Sequence, residues 1–217
     1  MTTYSPDLAG YWPLSDTTTY RGGGPLVGSP CTVGGSISNV SALISSGLQI
    51  NSGDGFYRVS NSSSVEWAPG QFTLEGWIKL PGSGSKTGGI ITKGDFYNVA
   101  DRMWGLRIVS GSPDQLRFDI YNAANPDDEK YIQCPITVMD DGAFHHVAAK
   151  FNGTHIHLYI DGIYKIGQTV QGTYTPDTFF TYPIDIYLGN GDFNPIRAVF
   201  RGSEPHPFNP RRYHGHF

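Results

Sequence analysis

Apolar and polar positions alternate in short runs along most of this chain. Phe72-Thr-Leu-Glu-Gly-Trp-Ile-Lys-Leu80 puts Phe72, Leu74, Gly76, Ile78 and Leu80 on one side, and Thr73, Glu75, Trp77 and Lys79 on the other. Side chains of a strand point alternately to its two faces, so the run predicts a half-buried β-strand. Met103–Val109 and Gln115–Tyr121 read the same way around the turn Ser110-Gly-Ser-Pro-Asp114, and Gly88–Lys93 reads as a further strand. Phe144–Phe151 alternates again. It meets Asn152-Gly153, a two-residue hairpin signal whose type I′ turn needs φ > 0 at both positions. Thr154–Ile160 then faces Ile156, Leu158 and Ile160 inward, and Asp161-Gly162 turns the chain into Ile163–Ile166. Leu48–Ile50, Phe56–Val59 and Ile184–Leu188 complete about ten to twelve short strands. Such spacing predicts an all-β fold, an antiparallel β-sandwich of the jelly-roll type.

The remaining segments read differently. Residues 1–47 form an N-terminal Gly/Ser/Thr-rich arm with brief strands, of which residues 8–16 are expected to contribute one to the sandwich. Residues 48–200 carry the sandwich core, and 201–217 form a Pro-rich tail. Pro195 before Phe200-Arg-Gly202 and Pro205, Pro207 and Pro210 after it cannot donate to a ladder, so a closing strand is expected to be missing or supplied by another chain. Asp127-Asp-Glu129 follows Asn-Pro and reads as a solvated turn.

Composition narrows the class. The chain has 217 residues with 28 Gly and 15 Pro, and the longest stretch free of both runs only from Phe56 to Ala68. Interior Gly costs a helix ~1 kcal/mol and Pro ~3 kcal/mol, so long helices are excluded. Lys plus Arg is 15 and Asp plus Glu 19, a net charge of -4 without a basic block. Nucleic acid is therefore not an expected partner. No apolar run reaches the length of a membrane helix. Met1-Thr-Thr-Tyr-Ser-Pro-Asp7 lacks a basic stretch followed by an apolar one, and so reads as carrying no secretion signal. Cys31 and Cys134 are the only cysteines. One bridge is open to them, but two thiols in this length do not make a disulfide scaffold.

Six segments, in order, resemble one family. They are Leu8-Ala-Gly-Tyr-Trp-Pro-Leu-Ser-Asp16, Phe72-Thr-Leu-Glu-Gly-Trp-Ile78, Ile90-Ile-Thr-Lys-Gly-Asp95, Asp141-Gly-Ala-Phe-His-His-Val-Ala148, Leu158-Tyr-Ile-Asp-Gly162 and Tyr187-Leu-Gly189. Together they resemble the laminin G-like jelly roll of the concanavalin A-like lectin/glucanase superfamily, with Phe144 where Trp is usual. The resemblance covers roughly residues 8–200 and implies a concanavalin A-like sandwich. It implies function less sharply, since one fold hosts many activities.

What the resemblance implies is a non-catalytic adhesion or binding module with a carbohydrate ligand. Its glucanases carry paired carboxylates on one strand, whereas here Phe72–Leu80 holds only Glu75 and Ile184–Leu188 only Asp185. No G-x-S-x-G elbow is present either. Enzymatic activity is not expected, and a degenerate glycoside hydrolase is the minor alternative. Relatives bind calcium in acidic Gly-rich loops, which here points to Asn51, Asp54 and Asp95 as candidate ligands. Exposed rings that could stack on sugars are Trp104, Tyr97, Tyr182 and Phe193, with Phe179 and Phe180 beside them. His155 and His157 share an outer face with Tyr159, near Lys150 or His146, and offer two imidazoles to a metal. His145-His146 reads as a strand feature, one ring inside and one outside.

A module of adhesive type without a secretion signal fits a bacteriophage virion protein, a capsid decoration or tail component exposed by lysis. Its expected partners are a surface glycan, other virion proteins, or a second copy joined through the termini. An extracellular carbohydrate-binding domain of a cellular protein is the alternative.

Overall fold

The computed structural model describes residues 31–34, 37–41, 46–50, 56–59, 71–80, 86–94, 103–122, 125–170, 186–188 and 199–201. Among them lie fourteen strands: β1 (Cys31–Gly34), β2 (Ile37–Ser41), β3 (Ser46–Ile50), β4 (Phe56–Val59), β5 (Phe72–Lys79), β6 (Gly88–Lys93), β7 (Trp104–Val109), β8 (Gln115–Asn122), β9 (Asn125–Pro135), β10 (Phe144–Phe151), β11 (His155–Ile160), β12 (Ile163–Thr169), β13 (Ile186–Leu188) and β14 (Val199–Arg201). A 3-10 turn, Thr137–Met139, sits between β9 and β10.

The strands form two antiparallel sheets of seven. The first runs β1-β4-β13-β6-β7-β8-β9 and the second β12-β11-β10-β5-β14-β3-β2. Alternation does the work. Trp104, Leu106 and Ile108 of β7 and Leu116, Phe118 and Ile120 of β8 are buried from the first sheet. Phe72, Leu74 and Ile78 of β5, Val147, Ala149 and Phe151 of β10, and Ile156, Leu158 and Ile160 of β11 meet them from the second. Phe72 ties the layers together, its ring 5.7 Å from Trp104, 6.0 Å from Phe118 and 5.9 Å from Phe151. Each such side chain contributes about 1.5–3 kcal/mol by leaving water, so the packed middle holds the sandwich together.

Three expectations change. The closing strand is present: β14 pairs β3 through Val199↔Gln49 and β5 through Phe200↔Ile78. Pro195 lies before it and Pro205, Pro207 and Pro210 after it, so its donors are intact. Asp127-Asp-Glu129 is no turn but part of β9, paired to β8 through Tyr121↔Glu129. The loop after β10 has three residues, and of Asn152 and Gly153 only Gly153 has positive φ, at 91°. There the Asn152 side-chain oxygen accepts from the backbone N–H of Thr154 at 3.0 Å and of His155 at 2.7 Å. The turn with two positive φ values is Asp161-Gly162, at 54° and 75°. The bridge that the sequence left open is not formed: Cys134 is a buried free thiol. Cys31 lies on β1 and Cys134 on β9, the two opposite edges of the first sheet. Six strand spacings of ~4.8 Å put them about 29 Å apart. A bridge needs Cα atoms within about 7 Å.

β1 and β2, inside the Gly/Ser/Thr-rich segment, pair with β4 and β3. The strand expected from residues 8–16 lies outside the described residues.

Candidate functional site

A sandwich leaves each sheet one face for solvent. On the first sheet that face is set by β7, β8 and β9, whose registers pair Gly105 with Asp119, Arg107 with Arg117, Asp119 with Tyr131, Arg117 with Gln133 and Tyr121 with Glu129. Arg107, Arg117, Asp119, Tyr121, Glu129, Tyr131 and Gln133 therefore share one surface. Two arginines stand directly opposite each other, an unfavourable pairing by itself.

Asp119 resolves that repulsion. Arg107 Nε and Nη2 donate to its two oxygens at 2.7 and 3.0 Å, and Arg117 Nε donates to Oδ1. The second amino group of Arg117 goes to Glu129, which also accepts from the Tyr121 hydroxyl at 2.7 Å. Arg107 Nη2 reaches the same Glu129 oxygen at 3.9 Å. Asp119 is fully buried and Tyr121 nearly so, although both project from the solvent side of the sheet. The face is thus recessed around them.

Burial pushes the Asp119 carboxyl up from the ordinary range, against the pull of Arg107 and Arg117. Burial also works to raise Glu129, yet the hydrogen bonds from Tyr121 and Arg117 and the Arg117 charge take it down to about 2. The Tyr121 phenol, raised by burial and by the adjacent Asp119 charge, stays a donor at all ordinary pH. Such a network does not hold the core, because apolar side chains of similar volume would serve a sheet surface as well or better. Buried charges with shifted pKa values in a recess make this face the candidate site.

The exposed part of the site is Tyr131. Its ring is 44% accessible, and the Arg117 guanidinium carbon lies 3.6 Å from the ring centroid on one face. That contact holds the ring as a platform. Exposed Gln133 stands two residues on, on the same face.

The sequence-derived candidates fare differently. Trp104 is no sugar platform: it is 1% exposed and sits in the core. Its place is explained by alternation with Leu106 and Ile108. Tyr97, Tyr182, Phe193, Phe179 and Phe180 lie outside the described residues, as do the calcium candidates Asn51, Asp54 and Asp95. His155 and His157 do come together, with ring centroids 5.9 Å apart. Among the described residues no group of three or more His, Cys, Asp or Glu side chains is arranged to hold a metal. His145 lies on the inward side of β10 with its ring nitrogens 2.9 Å from Asp141 and 2.8 Å from Asp161. His146 points outward against Trp77, at 5.3 Å, and Glu75, at 3.6 Å. The Arg107–Glu129 cluster was missed. Its signal was the charges at odd positions of β7 and β8, between the inward apolar residues.

A family model of the concanavalin A-like lectin/glucanases superfamily matches residues 51–202, well over half of the chain. No curated protein matches it in sequence. Among solved structures, the binding domain of Paraclostridial Mosquitocidal Protein 1 aligns with TM-score 0.62 and 14% identity, over 85% of this chain and 46% of that one. The receptor binding domain of botulinum neurotoxin C/D mosaic serotype gives 0.59 and 13%, over 81% and 42%. This chain spans less than half the length of either toxin domain. Domain 4 of AbnA, a GH43 extracellular arabinanase from Geobacillus stearothermophilus solved with arabinotriose, gives 0.57 and 17%, over 90% of this chain and 89% of that one. At these identities the likeness is one of fold. Sheet topology and family match agree: the chain belongs to the laminin G-like family of the concanavalin A-like lectin/glucanases superfamily.

Proposed function

We propose that this chain is a non-catalytic glycan-binding module whose ligand lies on the outer face of the first sheet. The observation that carries the reading is Tyr131, an exposed ring backed by Arg117 at the rim of the Arg107–Asp119–Glu129 network. Sugar rings present apolar C–H faces that stack on such a platform. Their hydroxyls bond to polar groups whose positions are already fixed, which lowers the ordering cost of binding. Gln133 offers a donor and an acceptor beside the ring.

The same geometry argues against hydrolysis. A glycosidase needs two carboxyls reaching the scissile bond, one of them bringing a proton. Here both Asp119 oxygens are engaged by arginines with no exposed surface, and Glu129 is held ionised. The arabinanase domain, matched over nearly its whole length, supports a saccharide ligand and makes arabino-oligosaccharides the first probe.

A glycan array followed by calorimetry tests this. Tyr131→Ala is expected to weaken the selected glycan at least about tenfold, in line with the loss of one buried stacking contact. An array without hits, or a Tyr131→Ala variant that binds like the parent, overturns the reading.

The display surface is proposed to be a bacteriophage virion, as capsid decoration or tail component. Its support is compositional: residues 1–30 and the Pro-rich 202–217 carry few apolar side chains, a composition that suits docking on a partner. Co-sedimentation with virus particles checks it. Calcium at Asn51, Asp54 and Asp95 is proposed on sequence grounds, and calorimetry without heat on calcium addition would end it.

A further inference from the structure

The outer face of the second sheet carries different chemistry. β11 turns His155, His157 and Tyr159 outward, and β10 sets Lys150 directly opposite His157. β12 sets Tyr164 opposite Tyr159, Gly167 opposite His157 and Thr169 opposite His155. The rings form a continuous row: His155 to His157 is 5.9 Å, His157 to Tyr159 6.4 Å, and Tyr159 to Tyr164 5.8 Å. Tyr164 is 55% exposed.

Three basic groups, Lys150, His155 and His157, meet here without a carboxylate. From β10 the neighbours are Lys150 and Ala148, and from β5 they are Thr73 and Glu75, which face Lys150 and Ala148. Glu75 is turned to His146, 3.6 Å away. β12 contributes Tyr164, Gly167 and Thr169, and the preceding loop contributes Thr154, whose hydroxyl is 2.8 Å from His155 Nδ1. Among the described residues Lys150 forms no ion pair. His157 Nδ1 is buried without a hydrogen-bond partner, against Gly167. The ring therefore offers a ligand its Nε2 end. Burial, then the charges of His155 and Lys150, push the His157 imidazole below its ordinary value. The whole chain is acidic, so this row is a local exception to its field.

We propose that the His155–His157–Lys150 row is a binding site for an acidic polysaccharide, engaged on acidification and released as the pH rises. Protonation of two imidazoles beside a lysine builds a triply positive strip, and an anion relieves its self-repulsion. Carboxylate or sulfate groups supply that anion. The row spans about 14 Å from His155 to Tyr159 at ~3.4 Å per residue, which suits an elongated ligand rather than one ion. The tyrosines give its sugar rings apolar contact. This site lies on the opposite side of the sandwich from Tyr131 and does not depend on it.

The test uses the full chain in affinity electrophoresis at about pH 5 and about pH 8. The probes are polygalacturonate, dextran sulfate, neutral dextran and inorganic sulfate. At least one polyanion is expected to bind about tenfold or more tightly at the lower pH, and neutral dextran not at all. The double variant His155→Gln/His157→Gln is expected to lose the pH dependence, and Lys150→Met to weaken binding at both values. Unfolding midpoints in urea confirm that the variants fold. Binding that ignores pH, survives the double substitution, or is matched by inorganic sulfate overturns the proposal, as does the failure of both polyanions. A negative glycan array at neutral pH leaves this test standing, since it reads another face.

Discussion

The two outer faces are built by the same alternation and use charge in opposite ways. On the first sheet two guanidiniums face two carboxyls, and Arg107, Arg117 and Asp119 are almost wholly withdrawn from water. On the second, Lys150, His155 and His157 stand together half-buried and without an acid between them. Balanced charge in a recess is rigid, because any departure leaves a buried ion unpaired. Unbalanced basic groups near solvent are responsive, because their protonation follows the medium and any bound anion. The backbone thus provides two equivalent surfaces, and residue type decides which is a fixed template and which a titrating one.

The difference breaks most sharply at Asp119. Asp119→Ala removes the carboxylate that both arginines grip and leaves Arg107 and Arg117 opposite each other with only Glu129 to share. Removing one partner from a buried ionic network costs about 3–5 kcal/mol. A small domain holds only about 5–15 kcal/mol in all. The urea midpoint should fall steeply. His157→Gln, on the responsive face, should change stability by no more than about 0.5 kcal/mol. Equal small effects from both would mean that the first face is solvated and not rigid.

Gly167→Ala probes the responsive face at a smaller scale. A Cβ there would lie 2.9 Å from His157 Nδ1, 2.9 Å from the Tyr164 hydroxyl and 3.0 Å from the Ile156 carbonyl oxygen. The two side chains can swing away, while the carbonyl is fixed in the ladder. Overpacking of this kind costs about 1–3 kcal/mol. The more telling readout is the His157 imidazole titration by NMR. Displacement of the ring should move it, whereas an unchanged titration would show that Gly167 does not set its position.

Much of the fold was legible because half-buried strands write their faces into the sequence with period two. β5, β7, β8, β10 and β11 are all of this kind. β9 was not legible: Asn125-Pro-Asp-Asp-Glu129 consists of turn-forming residue types, and only its pairing with β8 makes it a strand. β14 has three residues and draws its identity from β3 and β5, far away in sequence. Trp104 was misread by counting rings when its own strand already placed it with Leu106 and Ile108. The candidate site was half visible. Arg107, Arg117 and Asp119 stand at outward positions of strands that the pattern predicts. That one carboxylate serves both arginines follows only from the cross-strand register.

The smallest expected effect separates two histidines within one molecule. His145 is compensated by Asp141 and Asp161, whereas the charged neighbours of His157, His155 and Lys150, are both basic. Burial works against a charged His145, but its hydrogen bonds to both aspartates raise its pKa above the ordinary value of 6.5. A neutral ring can donate from one nitrogen only, so deprotonation forfeits one of the two contacts. A raised folded pKa contributes stability that is complete below the unfolded value and disappears as the pH climbs through the folded one. Stability should therefore decline from about pH 6.5 upward, and Asp161→Asn should flatten that slope. The decline should be slight, because both aspartates are more than one-third exposed and water screens the pair. NMR titration of both rings in the same sample gives the comparison directly: His145 should lose its proton at a higher pH than His157. The reverse order would mean that compensation by neighbouring charge does not distinguish these two environments.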